Sequence, residues 1–161
     1  MKFEKFLKNV GVRGTVLYST EFGKFLQCGN VMLRIPDGAN IVSAFAHRMP
    51  DAYEDVMRDA MDGAALGAEL TGAELPSPDA TPSSIQRIFS DKYGGKISID
   101  NKTFGMIERS DKVQIVREDF QDENCKDVDA LIISSGFGDD REITGVIFDV
   151  TFFDKLHSEE D

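Results

Sequence analysis

The chain has no tryptophan, and only two cysteines and two histidines among its 161 residues. Two thiols do not staple a domain of this size, so the fold has to rest on a hydrophobic core and not on a disulfide framework. Cys28 ends the apolar stretch Phe25-Leu26-Gln27-Cys28 and reads as a small buried hydrophobe. Cys125 sits among Asp122, Glu123 and Asp127, whose charges disfavour a thiolate and argue against a nucleophile. His47 and His157 have no neighbours at ligand spacing, which speaks against zinc and leaves little for acid–base work by imidazole.

Long apolar runs are missing too. No stretch reaches the ~18 residues of a membrane-crossing helix. Lys2, Glu4, Lys5 and Lys8 interrupt the apolar segment that a secretory signal would need. A cytoplasmic setting is the expectation, or a virion-associated one if the chain is phage-encoded.

Familiar catalytic patterns fail residue by residue. Gly95-Lys96 has the look of the end of a phosphate-binding loop, but Ser90 and Ile97 stand where Gly and Ser or Thr are required. Ser134 and Ser135 follow an apolar run, yet neither has glycine two residues before and two after it. Asp139, Asp140 and Glu142 form the densest carboxylate cluster, with Asp127 and Asp129 a second. Neither has the alternating acids, central glycine and closing glutamate of a calcium loop. No cofactor and no metal are expected.

What the chain does have is an ordinary supply of core and a large surplus of acid. Hydrophobic residues make up 41% and charged residues 29%, with 12 phenylalanines to fill an interior. The length suits one domain, expected over 1–153 with an internal linker at the proline-rich 75–82 and an acidic flexible tail at 154–161. Net charge is −11 and unevenly spread: +4 over 1–50, −7 over 51–80, +2 over 81–118 and −10 over 119–161. That sign opposes direct nucleic-acid binding, which depends on cations neutralising phosphates.

Local patterns predict an α+β fold: a mostly antiparallel sheet or partly closed barrel with two to three short helices packed on it. Phe3, Phe6, Leu7 and Val10 make one stripe of a short helix ended by Gly11. Thr15–Thr20, Lys24–Cys28, Val31–Ile35 and Ile41–Ala46 read as strands of a meander, with Gly29-Asn30 and Pro36-Asp37-Gly38 as turns. Asp51 is placed to cap a helix over Ala52–Asp62, closed by Gly63. Its apolar side is Tyr53, Val56, Met57, Ala60 and Met61, and its acidic side includes Glu54, Asp55, Asp59 and Asp62. Asp59 and Asp62 in its last turn oppose the helix dipole.

Beyond the linker, Thr81-Pro82 is expected to open a helix carrying Ile85, Ile88 and Phe89, with Gly94-Gly95 closing it. Strands follow at Lys96–Asp100, Thr103–Glu108, Lys112–Arg117, Ala130–Ser134 and Ile143–Phe153, the last of them central because both its faces are apolar. Residues 118–129 read as an acidic loop.

With no catalytic pattern, the expected role is a non-enzymatic interaction or assembly protein that meets a protein partner or itself through opposite charge poles. Small acidic accessory or structural proteins of phages share this general profile. The candidate contact residues are Asp119, Asp122, Glu123, Asp127 and Asp129. Two alternatives use the same acids: a nucleic-acid mimic occupying a basic groove, and a small metal-dependent hydrolase.

Overall fold

The computed structural model describes residues 1–9, 15–38, 46–62, 66–75, 78–79, 81, 84–117 and 127–158. They form a large mixed sheet covered on one face by helices and on the other by a second small sheet and the N-terminal helix. The elements in chain order are α1 (Phe3–Asn9), β1 (Thr15–Thr20), β2 (Gly23–Cys28), β3 (Val31–Arg34), β4 (His47–Arg48), α2 (Asp51–Met61), β5 (Leu66–Gly67) and β6 (Glu69–Glu74). They continue with β7 (Gln86–Ser90), β8 (Lys96–Asp100), α3 (Asn101–Phe104), β9 (Lys112–Arg117), β10 (Val128–Ser135), β11 (Glu142–Phe148) and α4 (Val150–Ser158).

The large sheet runs β4-β1-β2-β3-β11-β10-β9-β5 and does not close into a barrel. All its pairs are antiparallel except β1–β4. The small sheet is the antiparallel meander β6-β7-β8. The expected meander is present as β1–β3, with Cys28 paired to Val31 across Gly29-Asn30. The fold class expected from the sequence, α+β built mainly on antiparallel strands, is the one observed.

Strand alternation explains the layers. On β10, Ala130 and Ile132 face one way, with Val146 and Phe148 of β11 and with Tyr53, Val56, Met57 and Ala60 of α2. Leu131 and Ile133 face the other way, with Ile147 of β11, Ile115 of β9, and Phe89, Ile97 and Ile99 of the small sheet. β10 and β11 are therefore apolar on both faces and central, as expected of β11. On that second face α1 packs Phe3 and Phe6 against Leu33 and Met106.

Several expectations are overturned. Ile88 and Phe89 do not lie in the helix expected after Thr81. They lie in β7, and Gly94, at φ 85°, turns the β7–β8 hairpin. Three apolar residues give too short a stripe to hold a helix, whereas every residue of β7 has a partner in both β6 and β8. Thr103–Glu108 is not a strand: the Asp100 carboxylate accepts from the Thr103 N–H at 2.7 Å and starts α3 instead.

β11 ends at Phe148, not Phe153. Asp149 accepts from the Thr151 N–H at 3.1 Å and opens α4, so Asp154–Ser158 are helical and not a loose tail. There are four helices among the described residues, not two or three. Asp51 is inside α2; Pro50 holds the cap position, with no side-chain cap. Cys28 is half-buried. Most of the expected strand at 41–46, the turn residues Gly11 and Gly63, half of the 75–82 linker, Cys125 and most of the 118–129 loop lie outside the described residues. Among the described residues, no helix is long and apolar enough to cross a membrane.

Candidate acidic groove between α2 and α4

The apolar side of α2 is buried on the large sheet, which leaves its flank toward α4 half-open. Ala52, Asp55, Val56 and Asp59 recur at i, i+3, i+4 and i+7 and form one wall of a groove. Phe152, Lys155 and Leu156 of α4 form the other, with Asp129 of β10 between them. This section has a volume of about 430 Å³. A second section of about 360 Å³ shares Asp129, Phe152 and Lys155 and continues past Asp127, Asp149 and Lys96.

The walls are tied together. The Asp149 N–H donates to the Asp129 carbonyl at 2.9 Å, joining the start of α4 to β10. Further along, the buried Tyr53 hydroxyl of α2 meets His157 Nε2 of α4 at 2.9 Å and accepts from Gln27 Nε2 at 3.3 Å. Aromatic contacts reinforce this link: the Tyr53 ring stacks on Phe148 at 4.3 Å, and Phe153 lies 4.3 Å from the His157 ring.

Five carboxylates (Asp55, Asp59, Asp127, Asp129 and Asp149) face two lysines, Lys96 and Lys155, along the groove. One of the carboxylates, Asp59, has a shifted pKa. Partial burial raises its pKa, and the like charges of Asp55 and Asp62 push it the same way, while Arg58 opposes them. Arg58 pairs with Glu21 at 3.1 Å and with Asp55 at 3.2 Å, so one of the five groove carboxylates already has a cation beside it.

Val56, Phe152 and Leu156 supply apolar surface beneath these acids. That combination suits a lysine or arginine side chain, whose methylene stem lies on apolar surface while its head reaches carboxylates. Among the described residues, no three His, Cys, Asp or Glu side chains converge as a metal site. Asp139 and Glu142 lie elsewhere, on a groove that also holds Arg34 and Arg141, with Asp140 in the turn between them, and Arg34 pairs with Glu142 at 3.6 Å.

Of the five candidate contact residues, Asp127 and Asp129 line the groove. Asp119, Asp122 and Glu123 lie outside the described residues. The structure adds Asp55 and Asp59, which the sequence shows only as an acidic helix face, Asp149 and Phe152, which fall in the expected strand 143–153, and Lys155, which falls in the expected tail 154–161. Asp149 followed by Val150-Thr151 was the available signal, since an aspartate before an amphipathic run is a helix start. No protein family, curated protein or solved structure matches this chain.

Proposed function

We propose that the protein is a non-enzymatic binding module whose α2–α4 groove receives a lysine- or arginine-bearing segment of a protein partner. The observation that carries this reading is the set of aspartates from three separate elements, α2, β10 and the start of α4, along one groove with an apolar floor. Opposite potentials steer such an encounter, and burial of the lysine stem adds to it.

Calorimetric titration with a basic peptide whose lysines and arginines are spaced by glycine and proline tests it, since such a peptide cannot form a strand. Binding is expected at low salt and should weaken as screening rises. Asp55→Asn/Asp59→Asn/Asp129→Asn should abolish it. Undiminished binding by that variant would remove the groove from the function.

A further inference from the structure

The small sheet has an edge that nothing among the described residues covers. β6 is hydrogen-bonded to β7 on one side, and all six of its residues, Glu69–Glu74, are exposed. Proteins usually blunt such an edge with charged side chains, proline or a very short strand; β6 has a bulge between Leu70 and Gly72 and charges only at its two ends, Glu69 and Glu74.

Its side chains are also out of place for a solvated strand. Leu70 pairs with Phe89 and, through it, with Ile97; Ala73 pairs with Arg87 and, through it, with Ile99. Leu70 and Ala73 therefore continue the face on which Phe89, Ile97 and Ile99 are buried against the large sheet. β6 overhangs that cover, so Leu70 is 46% exposed and Leu75, two residues beyond Ala73, is 49% exposed. At its Glu69 end, β6 borders a groove of about 590 Å³ that also includes Thr71, Ser90 and Lys92.

We propose that β6 takes an extended segment of a partner protein as a fourth strand, and that the segment alternates apolar with basic side chains. The backbone edge supplies the hydrogen bonds, and Leu70 and Leu75 supply apolar surface for every second side chain. Glu69 and Glu74, at the two ends of β6, select the charge. The same two residues disfavour a second copy, because pairing β6 with itself in the centred antiparallel register sets Glu69 against the copy's Glu74. This site is separate from the α2–α4 groove and stands or falls without it.

The probe is a labelled peptide, Lys-Val-Thr-Val-Lys-Val-Thr-Lys, followed by fluorescence anisotropy and by amide hydrogen exchange of the full chain. Binding is expected to slow amide exchange over 69–74. Glu69→Lys/Glu74→Lys should weaken it by about tenfold or more, and Glu69→Gln/Glu74→Gln, which keeps the side-chain size, by less. Both glutamates are exposed, so the fold should survive either change. Asp55→Asn/Asp59→Asn, which weakens the α2–α4 groove, should leave the protection of 69–74 in place. Absence of binding, or protection over 51–61 and 150–158 instead, would overturn the proposal. A dimer whose β6 amides are protected without any peptide would assign the edge to a second copy and overturn it equally.

Discussion

Arg117 of β9 and Asp91, the residue after β7, form an ion pair between the two sheets with both side chains fully buried. Arg117 occupies the same face of β9 as Ile115, so a position that alternation reserves for an apolar residue carries a guanidinium. The carboxylate that receives it also shapes the β7–β8 turn: Asp91 Oδ1 accepts from the Tyr93 and Gly95 N–H groups, each at 2.9 Å. Breaking a buried pair leaves a charge without compensation, so Arg117→Met should cost about 3–5 kcal/mol in urea unfolding. Adding Asp91→Asn, which retains the turn acceptor, should recover a large part of that loss.

Gly95 belongs to the same arrangement. A methyl group there would lie 2.8 Å from Arg117 Nη2 and 2.9 Å from Asp91 Oδ2. Gly95→Ala should destabilise by about 1–3 kcal/mol through overpacking. In an Asp91→Asn/Arg117→Met background the penalty should shrink, because methionine is flexible; equal penalties in the two backgrounds would separate the glycine from the ion pair.

The Tyr53–His157 contact holds α4 onto α2. Tyr53→Phe keeps the ring on Phe148 but removes the hydroxyl shared with His157 and Gln27. It should cost about 1–2 kcal/mol overall. The loss should be local first: amide exchange in α4 should speed up well before that of β10 and β11, whose amides are paired in the sheet centre. Uniform acceleration across both would mean that α4 is not held by this contact.

The elements legible in the sequence were those with long periodic patterns or strong turn chemistry. α2 has five apolar residues at helical spacing, and the β2–β3 hairpin has Gly29-Asn30; both appear within a residue of the expected bounds. Where the pattern was short, tertiary pairing decided. Ile85, Ile88 and Phe89 satisfy a helical stripe, but Phe89 is buried between sheets only as a strand residue. The single side-chain bonds that start α3 and α4, from Asp100 and Asp149, redirected two expected strands. The groove was half-legible for the same reason: Asp127 and Asp129 stood out by density, whereas Asp149 and Lys155 acquire meaning only once α4 is a helix beside α2.

Two glycines of the β10–β11 connection, Gly136 at φ 85° and Gly138 at φ 56°, separate backbone strain from crowding. A Cβ on Gly138 meets nothing within 4 Å, so Gly138→Ala should cost only the left-handed backbone term, about 1–2 kcal/mol. A Cβ on Gly136 would collide with the Asp140 carbonyl oxygen, which belongs to the backbone and has no rotamer to yield. Gly136→Ala should therefore lower the melting temperature by clearly more than Gly138→Ala. Equal shifts would mean that the Gly138–Asp140 turn moves freely away.

Asp59 sets a pH signature for the groove. Its pKa in the folded protein is raised by burial first, then by Asp55 and Asp62. A carboxyl with a raised folded pKa binds its proton more tightly in the native state, so its contribution to stability is fully present below the unfolded value and is lost as pH rises through the folded one. At neutral pH ionised Asp59 is thus a liability, and Asp59→Asn should melt higher than the parent chain. As pH falls through the carboxylate range, around 4, the parent regains the proton and the two melting curves should converge. A basic partner in the groove should erase the same difference at neutral pH, because a lysine head beside Asp59 reverses the sign of its surroundings. If Asp59→Asn melts no higher than the parent at pH 7, burial and like charge do not penalise ionised Asp59, and the electrostatic basis for a basic partner there falls with it.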